Sequence, residues 1–298
     1  MSILISAVGF GLVTAAVTAL AAVGFTLQVG ISNVFNFSYG AVMITGTYIG
    51  YAVNSAGGGL AAACLAGAAA GAVLSALANR LLFVRFIGRG VNRFGMLIVC
   101  LQFAVIVQNL LQAIAGDTFF TYNLSAEPPI GFLKSVDFIL DPTQVTIIIL
   151  AVVVIAGLTL LLEMTRLGRA MRATAGNSSL ARACGIRTAR IIDITWLISG
   201  GLCGLAGVIF GYSVGAFQSS SGTDFLTVVF AATMLGGLGR PLGAALGALV
   251  IGIAMSVLAV YIQSDMTQVA ALGILILIIL FRPRGLFGSA VSTKELAT

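Results

Sequence analysis

Charged residues are scarce in this sequence. Only 8% of its 298 residues are Asp, Glu, Lys or Arg, whereas soluble proteins average about 25%. Hydrophobic residues make up 59% of the chain, and its mean hydropathy is +1.13. A soluble domain of this size needs far more polar side chains to cover its surface. The composition therefore excludes a soluble globular domain, a disordered chain and a coiled coil, and it disfavours a β-barrel, whose strands alternate polar and apolar residues.

Histidine is absent, and the four cysteines show no metal-binding or redox spacing. The chain therefore lacks the commonest general base, metal ligand and proton-relay group. The sequence also contains no Ser-His-Asp set, HExxH motif or Walker A motif. We expect no enzymatic activity, no cofactor and no metal. The net charge of +6 comes from arginine clusters without interleaved aromatic residues, so no nucleic-acid partner is expected.

The charges that are present lie between long apolar stretches or at their ends. No Asp, Glu, Lys or Arg precedes Arg80. This placement reflects the cost of a charge in hydrocarbon, about 2.5 to 3.5 kcal/mol at the centre of a helix. The sequence therefore predicts an all-α, polytopic helical integral membrane protein in which residues 1–298 form a single transmembrane domain.

Nine apolar segments are candidates for membrane spans of about 20 residues. The second and the seventh are short, so eight spans are an alternative. The first segment lacks the basic start of a signal peptide and is too long for one. The nine predicted spans are Ile3–Gln28, Gly40–Val53, Gly59–Leu82, Phe94–Ala115, Thr143–Leu162, Ile191–Gly215, Phe225–Gly237, Gly243–Ile262 and Gln268–Phe281.

Arginine-rich loops predict the orientation of the spans. Loops rich in Lys and Arg face the cytoplasm, whereas the acidic stretch 116–141 is expected outside. With nine spans the N-terminus lies outside and the C-terminus inside, and the loop 163–190 is cytoplasmic. Of the 15 basic residues, 13 form three groups, namely Arg80, Arg85, Arg89 and Arg93, then Arg166, Arg169, Arg172, Arg182, Arg187 and Arg190, and finally Arg282, Arg284 and Lys294.

Polar residues interrupt the apolar sequence between the first two spans. The segment Ser32–Gly40 holds two asparagines, two serines, a tyrosine and a glycine. Irregular backbone at membrane depth is tolerated where protein buries it or where it lines a cavity. The segment therefore predicts a re-entrant turn beside a translocation path, with an ordinary cytoplasmic turn as the alternative. The candidate path-lining residues are Gln28, Asn33, Asn36, Ser38, Tyr39, Thr45 and Tyr48, with Gln102, Gln108, Asn109 and Gln112 in the fourth span.

The second arginine-rich loop contains the signal of a short helix. Asn177-Ser178-Ser179 can cap its start, and Gly185 can end it about two turns later. The exposed face of such a helix would fit a groove on a soluble partner. A solvated basic loop that only sets the topology is the alternative.

Small residues recur four positions apart in the later spans. This spacing lets helix backbones approach closely in lipid, so we predict tight helix packing at these positions. The residues are Gly200, Gly204, Gly207, Gly211, Gly243 and Gly247.

Four groups of motifs, in order along almost the whole chain, resemble those of the branched-chain amino acid ABC importer permeases. Asn33-x-x-Asn36-Phe-x-x-Gly40, followed by Met43-Ile-x-Gly46-x-Tyr48, resembles the early region of that family. Gly168-Arg-Ala-Met-Arg-Ala and Ala181-x-x-x-Gly185-Ile186 resemble its cytoplasmic loop. Gly236-Gly-Leu-Gly with Pro241-x-Gly243-Ala-x-x-Gly247 resembles its late glycine signature, and Arg282-Pro-Arg-Gly285-Leu-Phe-Gly288 its C-terminal end. The length suits the shorter of its two permease types.

The resemblance implies a permease that works by alternating access in a bacterial inner membrane. Its implied partners are a second, identical or related permease, two cytoplasmic ATPases and an extracytoplasmic substrate-binding protein. The loop then resembles the coupling motif Glu-Ala-Ala-x-x-x-Gly without its glutamate, and its short helix would dock on an ATPase. The implied coupling residues are Arg169, Arg172, Asn177, Ser179, Leu180, Ala181, Gly185 and Ile186.

The resemblance leaves the substrate open. Many amino-acid-transporting members have His and then Gly-Glu after the Asn-Phe pair, where this chain has Ser38-Tyr39-Gly40-Ala41. Amino acids of the branched-chain type and related small organic solutes are both compatible with the sequence. An ion-coupled secondary carrier or channel is the alternative function, although the spans lack the ionisable residues that carriers usually place there. A structural subunit without a path of its own is a third hypothesis.

Overall fold

The chain is almost wholly helical in the computed structural model, which describes residues 2–116, 118–122 and 141–261, together with Gly273, Ile276 and Leu280. Two short strands, β1 (Phe120–Thr121) and β2 (Ala216–Phe217), pair antiparallel with Phe120 opposite Phe217. A π-helical turn at Asn79–Phe83 joins α3 to α4. The helices are α1 (Ser2–Ser32), α2 (Tyr39–Ser55), α3 (Leu60–Ala78), α4 (Val84–Gly88), α5 (Arg93–Ala115), α6 (Pro142–Met164), α7 (Arg166–Gly176), α8 (Ser178–Ala183), α9 (Thr188–Val214), α10 (Ser221–Gly236) and α11 (Pro241–Tyr261).

The predicted all-α membrane architecture is confirmed. Each of the first eight predicted spans falls on a helix, and six helices of the described part are long and apolar enough to cross a membrane. The second and seventh spans correspond to α2 and α10, which have only 17 and 16 residues. The ninth, Gln268–Phe281, lies outside the described residues except for three positions. The number of crossings therefore stays a prediction.

Two helices form the centre of the bundle. In α1 and α9, 78% of the residues in the most apolar stretch are buried. The corresponding fraction is 22% in α5 and α6 and 33% in α11, whose outward faces carry exposed Ile, Leu and Val side chains. A helix that is apolar all round is typical of a bundle interior, and apolar outer faces suit lipid.

Glycines let the central helix α9 approach its neighbours closely. A β-carbon at Gly204 would overlap the carbonyl oxygen of Gly67 in α3, and one at Gly207 would overlap that of Met43 in α2. The other predicted packing positions have similar surroundings. A β-carbon would overlap Gly71 and Ser75 at Gly200, Tyr122 at Gly211, Gly236 at Gly243 and Ala232 at Gly247.

The arginines of the described part lie at one end of the bundle, which we call the arginine end. It comprises the last turns of α1, α4, α6 and α10, the first turns of α5, α9 and α11, and the helices α7 and α8. Contacts across it include Gly30 against Gly239 and a hydrogen bond of 2.8 Å from Asn79 to Asp193. Asp141 and Asp224 lie at the opposite end, at the starts of α6 and α10. This separation agrees with the predicted orientation, which stays a prediction.

One predicted loop is wrong. Arg80 and Arg85 were expected in a loop after the third span, but the helix continues through the π turn to Gly88. Arg80 is paired with Asp193 of α9 at 3.3 Å, which gives these last turns a contact with the bundle. The loop 116–141, apart from residues 116, 118–122 and 141, and the basic residues after the last span lie outside the described residues.

Candidate substrate path and coupling surface

The chain leaves α1 through a left-handed residue. Asn33 has φ = +53°, and its backbone N–H donates to the carbonyl of Val29 at 2.9 Å. Asparagine tolerates this conformation better than other side chains except glycine. Asn33 is exposed at the arginine end, and the next helix begins only at Tyr39.

The start of α2 lies near the middle of the bundle and not at its end. The Tyr39 hydroxyl lies 3.1 Å from the carbonyl oxygen of Ala21 and 3.3 Å from that of Ser199. Ala21 precedes the end of α1 by roughly 16 Å of helix, and Ser199 follows the start of α9 by roughly the same distance, at 1.5 Å per residue. Residues 33–38 therefore return the chain from the arginine end into the interior of the bundle, and their re-entry into a membrane stays a prediction.

A buried turn precedes α2. The Oδ1 atom of Asn36 accepts hydrogen bonds from the backbone N–H of Ser38, at 3.0 Å, and from the Ser38 hydroxyl. Because a backbone N–H can only donate, this bond fixes which end of the amide is the oxygen. Both side chains are at most 1% exposed. No acceptor for Asn36 Nδ2 lies within the described residues.

A second buried amide lies beside the first residue of α2. Gln28 of α1 is fully buried, and its Oε1 atom accepts a hydrogen bond from the Ser199 hydroxyl at 3.1 Å. The carbonyl of Ser199 in turn faces the Tyr39 hydroxyl. Among the residues that the structure describes, Gln28 Nε2 has no acceptor. Gln28 is thus linked through Ser199 to Tyr39, the first residue of α2.

The other predicted path residues lie farther from this turn. Thr45 donates to the carbonyl of Ala41 at 2.7 Å, and Gln108 accepts from Thr223 at 3.3 Å. Gln102 and Asn109 are exposed on the outer helix α5, and Asn109 donates to its own helix, while Gln112 on the same helix is half-buried. The structure therefore brings together Gln28, Asn36, Ser38 and Tyr39 but not the amides of the fourth span, whose place in the path stays a prediction.

Six aromatic residues, which we call the aromatic cluster, meet at the opposite end of the bundle. The strand pair joins the segment after α5 to the segment after α9, and both cover the second half of α2. The Tyr122 hydroxyl donates to the carbonyl of Thr47 at 2.7 Å, and Asn54 donates to the Tyr212 hydroxyl at 2.8 Å. Burial raises the pKa of Tyr122. The members are Tyr48, Tyr51, Phe120, Tyr122, Tyr212 and Phe217.

Helix α7 anchors the basic loop to the bundle, and the sequence did not reveal it. Its cap residue Thr165 accepts a hydrogen bond from the backbone N–H of Gly168 at 3.0 Å. Gly168 and Met171 are buried, and Arg172 donates to the carbonyl of Leu162 in α6. Arg169 is exposed. The helix is amphipathic, with its small and apolar side against α6.

The predicted short helix is present as α8. The Asn177 side chain accepts from the backbone N–H of Leu180 at 2.9 Å, and Gly185 ends the helix with φ = +84°. The N–H of Ile186 returns to the carbonyl of Ala181 at 3.0 Å. Ala181 is buried, whereas Ser179 and Leu180 face outward, with Leu180 61% exposed. An exposed leucine on a capped surface helix is a suitable anchor for a partner groove.

Comparison with known proteins connects the chain to one family. Residues 7–280 match the family described as branched-chain amino acid transport system, permease component. The chain is 31% identical to the high-affinity branched-chain amino acid transport system permease protein BraD of Pseudomonas aeruginosa, over 93% of this chain and 94% of BraD. It is 28% identical to the corresponding LivH of Escherichia coli K12, over 91% of each, and 30% identical to a probable LivH of Methanocaldococcus jannaschii, over 90% and 88%. No solved structure matches the chain.

Proposed function

Because the chain belongs to the family of permease components of branched-chain amino acid transport systems, we propose that it is the membrane-spanning subunit of an ATP-driven ABC importer. Its cargo is an amino acid of the branched-chain type or a related small organic solute. The names of its relatives support this cargo, because the alignments with these relatives cover more than nine-tenths of the chain. The family does not favour the alternative of an ion-coupled carrier or channel.

The segment 33–38, which returns the chain to the middle of the bundle, carries this proposal. It places buried amide and hydroxyl groups about halfway along the bundle, where an alternating-access protein must hold its cargo while both ends are closed. The described parts of α1, α2 and α9 carry no charge at this depth. A neutral path binds cargo weakly and lets it pass, so that selection rests with the binding protein.

The arginine end would receive the motion of the ATPases. Leu180 and Ser179 on α8 form the docking face, and α7 transmits force to α6 through the contacts of Gly168 and Arg172. The turn at Gly185 leads directly into α9, which holds the Ser199 contacts to Gln28 and Tyr39. A rigid shift of α8 would therefore reach the middle of the bundle along one continuous helix.

The complete importer contains further subunits. It needs a second permease, identical or related, two cytoplasmic ATPases and an extracytoplasmic binding protein. The chain lies in a bacterial inner membrane with its N-terminus outside and its C-terminus in the cytoplasm. The arginine end supports this orientation through the positive-inside rule.

The test is uptake of labelled leucine into proteoliposomes that contain the permease, its ATPases and its binding protein. We expect uptake that requires internal ATP and persists when ionophores remove the proton and sodium gradients. Uptake that follows an ion gradient without ATP would overturn the proposal. The matched control contains ATPase variants that bind ATP but do not hydrolyse it. These proteoliposomes should show no uptake.

A further inference from the structure

The N-terminal end of α2 is a buried positive pole without a side-chain cap. The first turn of a helix presents backbone N–H groups that have no partner within the helix, together with the positive end of its dipole. At α2 the cap residue is Ser38, whose side chain makes no capping bond because its hydroxyl donates to Asn36. The backbone N–H of Tyr39 already donates to the carbonyl of Asn36 at 3.2 Å, so the open donors of this end belong to the residues after Tyr39. In most helices this end faces water or a cap, but here it faces the interior.

Two buried side-chain amides near this helix start each have an amide donor without an acceptor in the described part of the chain. In both Asn36 and Gln28 the oxygen already accepts a hydrogen bond, and within the described residues the nitrogen has no acceptor. Both residues are at most 1% exposed. A buried donor without an acceptor costs the desolvation of that group, on the order of 1–3 kcal/mol, so such groups require an explanation. Both amide nitrogens therefore lack a hydrogen-bond acceptor in the part of the protein that the structure describes.

We propose that the N-terminus of α2, with the amides of Asn36 and Gln28, binds the carboxylate of the transported solute about halfway through the membrane. A carboxylate supplies acceptor oxygens and the negative charge that a helix N-terminus favours. Neutral donors would bind it less strongly than a fixed arginine or lysine. The described parts of α1, α2 and α9 have no arginine and no lysine at this depth. This assignment deepens the proposed function and rests on it.

The substitution Asn36→Asp separates a binding role from a structural one. Aspartate has nearly the same shape and accepts the same bonds from Ser38. The positive end of the helix dipole lowers the cost of burying its charge. A purely structural Asn36 would therefore tolerate it. A carboxylate-binding Asn36 would not, because two like charges would lie a few ångströms apart away from water.

We expect Asn36→Asp to lower leucine uptake by about tenfold or more in the reconstituted importer, while the purified variant stays folded, as its thermal unfolding transition would show. The matched control is Asn92→Asp. Asn92 caps the exposed start of α5 by accepting from Gly95 at 2.8 Å, so the same change there should leave uptake as it was. Gln28→Glu, which keeps the acceptor for Ser199, is the second test if Asn36→Asp unfolds early.

The outcomes distinguish this inference from the function on which it rests. Leucine uptake that survives both Asn36→Asp and Gln28→Glu overturns the carboxylate site and leaves the amino-acid importer standing. An importer that carries acetamide or urea but not leucine overturns the carboxylate site alone, whereas uptake that follows an ion gradient without ATP overturns the proposed function as well. Loss of leucine uptake in an acidic variant that keeps a thermal unfolding transition, together with full uptake in Asn92→Asp, supports the site.

Discussion

Individual residues in the interior of this protein are selected for close contact and for neutral hydrogen bonding. Gly24 illustrates the first requirement, because a β-carbon there would overlap the Tyr39 hydroxyl. Tyr39 illustrates the second, since its hydroxyl lies between carbonyls of α1 and α9 and links the two central helices. The methyl group of an alanine at position 24 would therefore disturb the hydrogen bonds of the Tyr39 hydroxyl.

The same reasoning gives a stability prediction for Gly204. Its Cα packs against the backbone of Gly67 in α3, and the β-carbon of an alanine would overlap the Gly67 carbonyl. Backbone atoms cannot move aside as a flexible side chain can. We expect Gly204→Ala to lower the free energy of unfolding by about 1–3 kcal/mol, which thermal unfolding in detergent would measure.

Gly157 provides the matched control for this substitution. It lies on the exposed side of α6, and no described atom lies within 4 Å of the place a β-carbon would take. Gly157→Ala should unfold at the same temperature as the unsubstituted protein or slightly above it, since alanine has the higher helix propensity. Equal stability of the two alanine variants would contradict the close packing of α3 on α9.

At the scale of elements, long apolar runs and local caps could be predicted from the sequence. The hydrophobic segments predicted eight of the helices. Asn177 and Gly185 predicted the short helix α8. Each of these signals acts within one element. Helix α7 was missed, since its small and apolar residues become an amphipathic face only when α6 is present to cover them. The depth of α2 was also beyond sequence reasoning, because it depends on contacts between Tyr39 and residues 18 and 160 positions away.

The surface of α8 gives a prediction about assembly. Leu180 is exposed on a helix whose other side is fixed by Ala181, so a polar change there should not unfold the loop. We expect Leu180→Asp to remove the ATPase from the purified complex and to reduce uptake to background, because a charge would enter an apolar groove. Co-purification of the ATPase with the tagged permease measures the first effect.

Leu238→Asp is the control for a negative charge placed elsewhere at the arginine end. Leu238 lies at the same end, in the turn before α11, and is 36% exposed. Leu238→Asp should retain the ATPase in the complex. The proposed docking face would be wrong if both variants kept the ATPase or if both lost it.

At the scale of the whole molecule, the bundle has two ends with different tasks. The arginine end carries the surface helix that we assign to the ATPase, whereas the aromatic cluster closes the opposite end over α2. Sequence reasoning missed this cluster, because its members come from three separate segments that meet only through the pairing of β1 with β2. Between the two ends lies the buried pole of α2. We expect that cargo which enters from this end reaches the pole only when the strand pair separates.

Locking the strand pair with a disulfide tests this requirement. Thr121 and Ala216 lie directly opposite each other in the antiparallel pair, at a spacing that a disulfide can bridge. We expect the double variant Thr121→Cys with Ala216→Cys to lose uptake after oxidation and to recover it after reduction, while each single variant transports under both conditions. Mass spectrometry would give the fraction of cross-linked chains. Full uptake by completely cross-linked protein would show that cargo enters without moving the aromatic cluster, and the path would then have to open between α5 and the rest of the bundle.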